Sequence, residues 1–265
     1  MCGIAGYIGN KKIQKKNIDL SLKSMIQRGP DNQKKIEIKT NKQNVLLLHS
    51  RLSIIDLKSR SNQPFSKHGL KLIFNGEIYN YLFLKDELKK KGYKFKTNSD
   101  TEVIISGFNE FGEGIFKKLK GMWSLAIWNN KKKELILSRD RIGEKPLYYF
   151  NENNNIFFGS QIKQITKLSK KKFQINQQQI FNYLGLGYRS LEKYNLTFFK
   201  RIKKIPSGSY LRFKDGKIET KKYWSLKYKP NYNLNQKDIV SEIRKKVINA
   251  IHRVSVSDVP LTLLL

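Results

Sequence analysis

Residues 1–9 of the chain read MCGIAGYIG, which places the only cysteine of the 265 residues, Cys2, directly behind Met1. Loss of Met1 would make Cys2 the first residue, with a thiol and a free α-amine on adjacent carbons. The unperturbed pKa of an α-amine is about 7.7 to 8.0, so a fraction of it is neutral at physiological pH and can accept the thiol proton. An N-terminal amine that acts as base for its own side chain activates a nucleophile. Cys2 is therefore a candidate nucleophile.

The same cysteine has a structural interpretation, because an unpaired Cys is usually a small buried hydrophobe. The residues that follow it form a short apolar segment, whose glycines allow backbone or ligand to approach closely. A strand that begins at Cys2 puts the thiol at the end of a sheet and not in a core. This position favours the nucleophile.

The composition is that of a globular protein. Apolar residues make up 39% of the chain and aromatic residues 12%, enough for a core in one large domain or one and a half. No apolar run reaches the roughly 18 residues that span a membrane, and no basic region precedes an apolar stretch at the N-terminus. With a single cysteine, the sequence predicts a cytoplasmic protein without membrane partners.

The net charge of +32 raises the hypothesis of a basic nucleic-acid-binding module, because Lys and Arg neutralise phosphates. Only 10 of the 53 basic residues are Arg, and the Lys residues are spread along the whole chain. Arg is the residue favoured for bidentate phosphate and base contacts. No helix-turn-helix spacing, zinc-ligand pattern or RNP-like aromatic block is present, so specific nucleic-acid binding is disfavoured.

Two polar blocks follow predicted strands. A buried strand at 45–49 leads into Arg51, which is either a surface charge or a fork that can bind a carboxylate bidentately. The strand at 70–74 leads into Asn75-Gly76-Glu77, which in isolation reads as a hairpin turn. Given a thiol nucleophile upstream, a side-chain amide beside a glycine N–H also supplies the two neutral donors that an oxyanion hole requires.

The blocks together resemble the class II glutamine amidotransferases, which are N-terminal-nucleophile hydrolases. The similar segments are the opening at residues 1–9, RGPD at 28–31, HSRLSI at 49–54, NGE at 75–77 and SDTE at 99–102. The Pro-Asp after Arg-Gly resembles the asparagine synthetase branch of the family. The resemblance covers nearly the whole chain and implies an α+β fold, a four-layer αββα sandwich with two antiparallel sheets face to face.

The resemblance implies a role for each matching residue. Cys2 would attack the side-chain amide of glutamine, and Asn75 and Gly76 would hold the oxyanion. The glutamine site would comprise these donors together with four further residues: Arg51 at the α-carboxylate, Glu77 and Asp100 at the ammonium, and Ile54. On residue type alone, Ser99 or Asp100 is also an ordinary helix N-cap. The glutaminase half needs no cofactor and no metal.

The resemblance also implies a domain organisation. Residues 2–225 would form the glutaminase domain, 226–236 a linker, and 237–265 the truncated opening of a synthetase domain with a helix at 238–253 and a strand at 256–265. In asparagine synthetases this strand runs into Ser-Gly-Gly-x-Asp-Ser, the loop that binds the ATP pyrophosphate. Leu265 would stand at the edge of that site. The expected partners are glutamine and the missing synthetase domain, with a homodimer left open.

The predicted function is thus that of a glutamine-dependent asparagine synthetase, represented by its glutaminase half. The complete enzyme would use Mg-ATP to convert glutamine and aspartate into asparagine and glutamate, with AMP and diphosphate. Two alternatives stay open, an amidotransferase with another acceptor such as a cell-surface sugar acid, and a non-enzymatic basic binding module. The segment 139–149 is interpreted as scaffold. Gln161 occupies a position where the family usually has Glu, which removes any ion pair that the Glu makes with residues 139–141.

Overall fold

A computed structural model describes residues 1–189, 196–230 and 235–262 of the chain. Most of the described residues form short strands and helices. The strands are β1 (Gly3–Gly9), β2 (Asn32–Lys39), β3 (Asn44–Arg51), β4 (Phe65–Lys67), β5 (Leu70–Ile78), β6 (Gly121–Asn129), β7 (Glu134–Arg139), β8 (Tyr148–Glu152), β9 (Asn155–Gly159), β10 (Lys203–Lys204), β11 (Ser209–Lys214) and β12 (Lys217–Lys222). The α-helices are α1 (Lys15–Lys23), α2 (Tyr81–Lys90), α3 (Asp100–Phe111), α4 (Ile115–Lys118), α5 (Ile162–Ser169), α6 (Gln177–Leu186) and α7 (Gln236–Val254).

The strands form two six-stranded sheets, with the orders β10-β8-β9-β1-β3-β2 and β12-β11-β7-β6-β5-β4. Every strand pair within them is antiparallel. β1 lies inside the first sheet between β3 and β9, and β5 lies in the second sheet beside β6. The first strand, β1, therefore lies inside its sheet and not at the edge.

Three apolar clusters divide the molecule into layers. One cluster joins inward-facing residues of both sheets, among them Ile4 and Trp128. A second packs α2, α3 and α4 on the outer face of the sheet that contains β5. The third packs α1 and α5 on the outer face of the sheet that contains β1. Because apolar faces are buried between layers in this way, the predicted αββα sandwich is confirmed.

All seven residues of β1 are buried, and its glycines explain how the strand fits. A Cβ on Gly6 would lie 2.6 Å from the carbonyl oxygen of Leu46 and inside contact distance of the Phe158 ring. Real Cβ contacts are longer than this, so a side chain at residue 6 would push neighbouring strands apart. The small residues that follow Cys2 thus allow β1 to pack in the middle of the sandwich.

Several predicted element boundaries differ from the structure. Apolar residues at 18, 22, 25 and 26 predict a first helix that ends at residue 27, but the helix ends at Lys23 and continues as a turn. The sequence also predicts a short strand at 93–95, but these residues lie in a connection between α2 and α3 and form no strand. The short apolar pattern indicated burial, but burial here comes from packing of Tyr93 and Phe95 against the helical layer.

The C-terminal part differs in character from the rest. α7 carries its apolar stripe exposed, with Ile243 at 56% and Ile251 at 57% exposure. The strand predicted at 256–265 is absent from residues 255–262, because a strand needs a neighbour to satisfy its backbone groups; residues 263–265 lie outside the described part of the chain. None of the helices in the described ranges is long and apolar enough to cross a membrane.

Candidate active site

One pocket collects the ends of several elements: the residue before β1, the last residue of β3, the end of β5 and the start of α3. Its volume is about 90 Å³, well above the roughly 15 Å³ that one water needs. Residues 52–62, called the rim loop here, cover one side of it. The pocket is lined by Met1, Cys2, Arg51, Leu52, Ile54, Ile55, Ser61, Gln63, Phe74, Asn75, Gly76, Glu77, Ser99, Asp100, Thr101, Met122 and Lys145.

Cys2 lies at the end of the sheet and not in packed hydrocarbon. Its Sγ accepts a hydrogen bond from the backbone N–H of Leu52 at 3.3 Å, and its thiol donates to the Leu52 carbonyl oxygen at 3.5 Å. Burial raises the pKa of the Cys2 thiol, and the Leu52 N–H, the amino terminus and Arg51 oppose that rise. The thiol is therefore held as the protonated form until a base accepts its proton.

Met1 occupies the mouth of the pocket. The Sδ atom of Met1 lies 3.3 Å from Nζ of Lys145, and Met1 is 54% exposed. Burial lowers the pKa of the Met1 α-amine. Nε of Arg28 donates to the carbonyl oxygen of Cys2 at 3.0 Å, so the Arg-Gly turn fixes the backbone of the N-terminus.

Gly29 explains why that turn reaches Cys2. A Cβ on Gly29 would lie 2.6 Å from the carbonyl carbon of Arg51 and closer still to the Ser50 carbonyl. The Ser50 hydroxyl donates to the Gly29 carbonyl oxygen at 2.7 Å. The glycine therefore lets the turn lie directly on β3, with Arg28 beside the nucleophile.

Asn75 and Gly76 lie within β5, so the hairpin interpretation of Asn75-Gly76-Glu77 is wrong. Both residues are in register with β6, Asn75 opposite Ser124 and Gly76 opposite Trp123. The Asn75 amide nitrogen lies 3.4 Å from the Ser124 hydroxyl. Gly76 has φ of +157°, and a Cβ there would lie 2.7 Å from the Cα of Trp123. Only glycine fits at this approach of β5 to β6.

Arg51 lines the pocket, but its fork points mainly into the rim loop. Nη1 donates to the carbonyl oxygen of Lys58 at 3.1 Å and to Oδ1 of Asn62 at 2.7 Å. Nη2 donates to the carbonyl oxygens of Ile55 at 3.2 Å and Asp56 at 2.6 Å. The sequence predicted a carboxylate partner for this guanidinium; the structure gives it a second task, holding the rim loop, which carries Ile54.

Glu77 and Asp100 bring two carboxyl groups to the opposite side of the pocket. Oδ2 of Asp100 accepts from the backbone N–H of Ile78 at 3.1 Å, and Ser99, not Asp100, caps α3 by accepting from the N–H of Thr101. Burial raises the pKa of Asp100 to about 7, and Glu77 adds to the rise. Burial also raises the pKa of Glu77, opposed by Lys145.

Lys145 is a pocket residue that the sequence interpretation missed, because segment 139–149 was taken as scaffold only. Asp140 holds this segment by accepting backbone N–H groups, from Gly143 at 2.6 Å, Glu144 at 2.9 Å and Lys145 at 3.0 Å. An Asp followed by a glycine-containing loop predicts such a turn. No sequence signal shows that the turn delivers an ammonium group to the pocket. Burial lowers the pKa of Lys145, and Glu77 opposes that effect.

The structure thus brings seven sequence-predicted residues to one pocket. Cys2, Arg51, Ile54, Asn75, Gly76, Glu77 and Asp100 all line it. Leu265, predicted at the edge of an ATP site, lies outside the described residues. The pocket therefore presents a thiol, a strand-borne amide beside a glycine, a guanidinium, an ammonium and two carboxyl groups to one small volume.

The fold is shared with a solved amidotransferase. The glutamine phosphoribosylpyrophosphate amidotransferase from B. subtilis superposes with a TM-score of 0.61 at 17% identity, over 84% of this chain and 49% of that chain. A likeness at this identity establishes the fold alone. The class that the fold defines is an α+β sandwich with two antiparallel sheets between layers of helices.

Sequence relationships identify the family. Residues 1–224 match the model of the glutamine amidotransferase domain, and the chain belongs to this family. It is 33% identical over 98% of its length to a putative glutamine-hydrolysing asparagine synthetase 2 of Methanocaldococcus jannaschii, covering 53% of that protein. It is 31% identical over 98% of its length to asparagine synthetase 3 of Bacillus subtilis, covering 42% of that protein. The chain therefore spans about half the length of these relatives.

Proposed function

We propose that this chain hydrolyses glutamine to glutamate and ammonia, with Cys2 as nucleophile after removal of Met1. The observation that carries the proposal is the single pocket in which the thiol, the Asn75-Gly76 pair, Arg51 and two carboxyl groups meet. Family membership supports glutamine as the substrate. Each side chain has a chemical task in this reaction that its environment suits.

The first step is proton transfer from the thiol to the neighbouring amine. Burial raises the pKa of the Cys2 thiol, while an ordinary free α-amine has a pKa of about 7.7 to 8.0 and is partly neutral at physiological pH. A protonated thiol beside a neutral amine is the starting state of this transfer, made directly or through a water. Sγ then attacks the side-chain amide carbon of glutamine and forms the C–S bond.

The developing oxyanion needs neutral donors. The Asn75 side-chain amide and the Gly76 backbone N–H supply them in this proposal, and the β5–β6 ladder fixes their position before the reaction starts. Preorganised donors of this kind are usually the largest single contribution to catalysis of acyl transfer. The C–N bond then breaks, and the amine returns its proton to the departing nitrogen, which leaves as ammonia. Water cleaves the thioester and releases glutamate and the free thiol.

Substrate selection depends on the groups around the α-carbon of glutamine. Arg51 pairs with the α-carboxylate, and Glu77 and Asp100 pair with the ammonium, with Ile54 on the rim loop against the side chain. An amino acid with a γ-amide then places its amide carbon at Cys2. Lys145 contacts Met1 and offsets the charge of Glu77. No metal or other cofactor takes part in these steps.

The test is glutamate release from glutamine by the purified chain. Intact mass is expected to lack Met1, and Cys2→Ala is expected to abolish glutamate release while glutamine binding persists. As a control, one Ala inserted between Met1 and Cys2 keeps the thiol but moves the α-amine to another residue. That variant is expected to be inactive as well. Full activity of the insertion variant, or of Cys2→Ala, would overturn the mechanism.

We infer further that the ammonia serves asparagine synthesis. Two relatives that match the chain over 98% of its length are named glutamine-hydrolysing asparagine synthetases, and the chain spans about half of each. In this proposal residues 2–225 form the glutaminase domain and 237–265 open a synthetase domain that uses aspartate and Mg-ATP in the cytoplasm. The test is the coding sequence after Leu265. Ser-Gly-Gly-x-Asp-Ser is expected there, and a stop codon would leave a free-standing glutaminase.

A further inference from the structure

The segment after α7 returns to the glutaminase fold and contacts the rim loop. The backbone N–H of Asp258 donates to the carbonyl oxygen of Ile54 at 3.0 Å. Oδ2 of Asp258 accepts from the backbone N–H of Asp56 at 2.7 Å. Val256, two residues earlier, packs against the apolar cluster that contains α2 and α3. A residue about 200 positions away in sequence thus makes two hydrogen bonds with the rim loop.

Asp56 connects this contact to the opposite side of the pocket. It has φ of +49°, a conformation that a non-glycine residue adopts only when its surroundings hold it. Its carboxylate accepts from the backbone N–H of Asn98 at 2.8 Å and from Nε of Arg60 at 3.2 Å. Asn98 immediately precedes Ser99, the N-cap of the helix that begins with Asp100. Asp56 therefore ties the rim loop to the start of α3.

The same residue also accepts from Arg51, at 2.6 Å from Nη2 to the Asp56 carbonyl oxygen. Two of the three groups proposed to bind the α-carbon substituents of glutamine, Arg51 and Asp100, are thus linked through Asp56. The backbone N–H of Asp56 in turn donates to the Asp258 carboxylate. Within the described part of the chain no strand pairs with the rim loop, so these polar contacts, together with the packing of Ile54 and Ile55 on the apolar cluster of α2 and α3, hold its conformation.

We propose that Asp258 is a positioning residue for the glutaminase reaction. It holds the rim loop closed on the pocket and so couples the affinity for glutamine to the segment that follows α7. The proposal rests on glutamine being the substrate. It predicts that loss of the Asp258 carboxylate weakens glutamine binding more than it slows the chemistry, because Asn75 and Gly76 lie on β5 and Leu52, the rim-loop residue that contacts Cys2 Sγ, directly follows β3 and lies four residues before Asp56.

The experiment compares Asp258→Ala with the wild-type chain in glutamate release. KM for glutamine is expected to rise roughly three- to tenfold, the typical net contribution of one hydrogen bond, and kcat to stay within about twofold. Asp258→Asn is the rescue variant, since its amide oxygen still accepts from the Asp56 N–H. Its KM is expected to stay within about twofold of the wild type.

Ser257→Ala is the matched control. Among the described residues the Ser257 hydroxyl bonds to the backbone carbonyl oxygen and N–H of Val259, within its own segment, so KM for glutamine is expected not to change. An unchanged KM in Asp258→Ala, or an equal rise in Ser257→Ala, would overturn the proposal. Thermal unfolding checks that each variant is folded. If Asp258→Ala does not fold, Asp258→Glu replaces it, with the same expected rise because the longer side chain displaces the loop.

A binding measurement separates this proposal from the proposed function. Calorimetry on Cys2→Ala gives Kd for glutamine without hydrolysis, and Cys2→Ala/Asp258→Ala is expected to bind roughly three- to tenfold more weakly. If Cys2→Ala binds no glutamine, the proposed function fails and this inference falls with it. If Cys2→Ala binds glutamine and the double variant binds equally well, only the role of Asp258 is refuted.

Discussion

The two sides of the pocket are held in place by different kinds of interaction, strand pairing on one side and polar contacts of a loop on the other. On one side Cys2, Asn75 and Gly76 sit at the ends of β1 and β5, where backbone ladders fix each position: Gly3 pairs with Ser50, and Gly76 with Trp123. On the other side the rim loop has no strand neighbour and is held by side chains. The groups proposed to react are therefore placed by register. Among the groups proposed to select the substrate, the backbones of Glu77 and Arg51 are also placed by strand register, but the direction of the Arg51 fork is set by its polar contacts with the rim loop. Substitutions on the strand side should therefore mainly lower kcat, whereas substitutions on the loop side should mainly raise KM for glutamine.

The largest expected effect is on the strand side. Asn75→Ala removes one oxyanion donor and should lower kcat about 100- to 1,000-fold with little change in KM. Steady-state glutamate release measures both. Asn80→Ala is the control, since Asn80 bonds to the backbone at Lys118 and Lys120 outside the pocket and should leave kcat unchanged. A large rise in KM for Asn75→Ala would contradict the division between the two sides.

On the loop side, Arg51→Lys keeps the charge but loses the fork. One ammonium group cannot reproduce four hydrogen bonds to the rim loop, so KM for glutamine should rise on the order of 30-fold while kcat changes less. Arg60→Lys serves for comparison, because Arg60 is largely exposed and bonds to Asp56 through a single nitrogen. Its KM should stay within about twofold. A fall in kcat alone for Arg51→Lys would mean that the loop governs chemistry as well.

The strand side could be predicted from sequence more completely than the loop side. A motif places residues such as Asn75 and Gly76 at a strand end, and the hydrophobic pattern of β5 then determines which way they face. The direction of the Arg51 fork could not be predicted, because it depends on carbonyl groups of a loop without periodicity. The seven residues were predicted as a set and meet in one pocket, and their individual roles stay predictions.

The other features that the sequence did not predict also depend on contacts between segments far apart in the chain. Lys145 belongs to a turn organised by Asp140, and nothing in the local pattern indicates that the turn faces Cys2. The predicted strand after α7 needed a neighbouring strand that the described residues do not supply. Its polar residue, Asp258, instead bonds to the rim loop. Sequence patterns predict local structure and packing faces, whereas these contacts arise between segments far apart in the chain.

Ionisation of Asp100 gives a pH dependence on the substrate-selecting side. Its pKa is raised from 3.8 to about 7, so below that pH the free enzyme carries a neutral acid that cannot pair with an ammonium. The value of kcat/KM for glutamine should therefore fall about tenfold for each pH unit below about 7. A pH profile of kcat/KM measures this, and the remaining activity of Asp100→Asn should lack the same acidic limb.

The folding free energy should respond to Asp100 with a defined sign. Because the folded protein binds this proton more tightly than the unfolded chain, the stability from Asp100 is present below 3.8 and is lost as pH rises through about 7. Asp100→Asn should then be more stable than the wild type at pH 8, by about 1 to 3 kcal/mol. Denaturant unfolding at pH 5 and pH 8 checks the sign. Equal stability differences at the two pH values would show that Asp100 is ionised throughout.

The smallest effect is expected at Gln161, which is not among the residues that line the pocket. The structure gives Gln161 a partner in its own helix: Gln164 Oε1 accepts from the Gln161 N–H at 2.6 Å, and Gln164 Nε2 donates to Gln161 Oε1 at 3.3 Å. Arg139 and Arg141 bond to backbone carbonyls instead, at Lys145 and Leu119 among others. A Glu at 161 is therefore not needed to pair with either guanidinium.

Gln161→Glu should consequently act on α5 alone. The first turn of α5 has no acidic residue, and a carboxylate there should stabilise the helix by about 0.3 to 1 kcal/mol through its dipole. Gln161→Lys places the opposite charge at the same position and should destabilise the helix by a similar amount, as thermal unfolding would measure. Glutamate release should stay within about twofold in both, because the strand ladders that place Cys2 and Asn75 do not depend on this helix end. A tenfold loss of kcat in Gln161→Glu would instead mean that α5 positions β1, through the Ser160 hydroxyl that accepts from the Ile4 N–H at 3.1 Å.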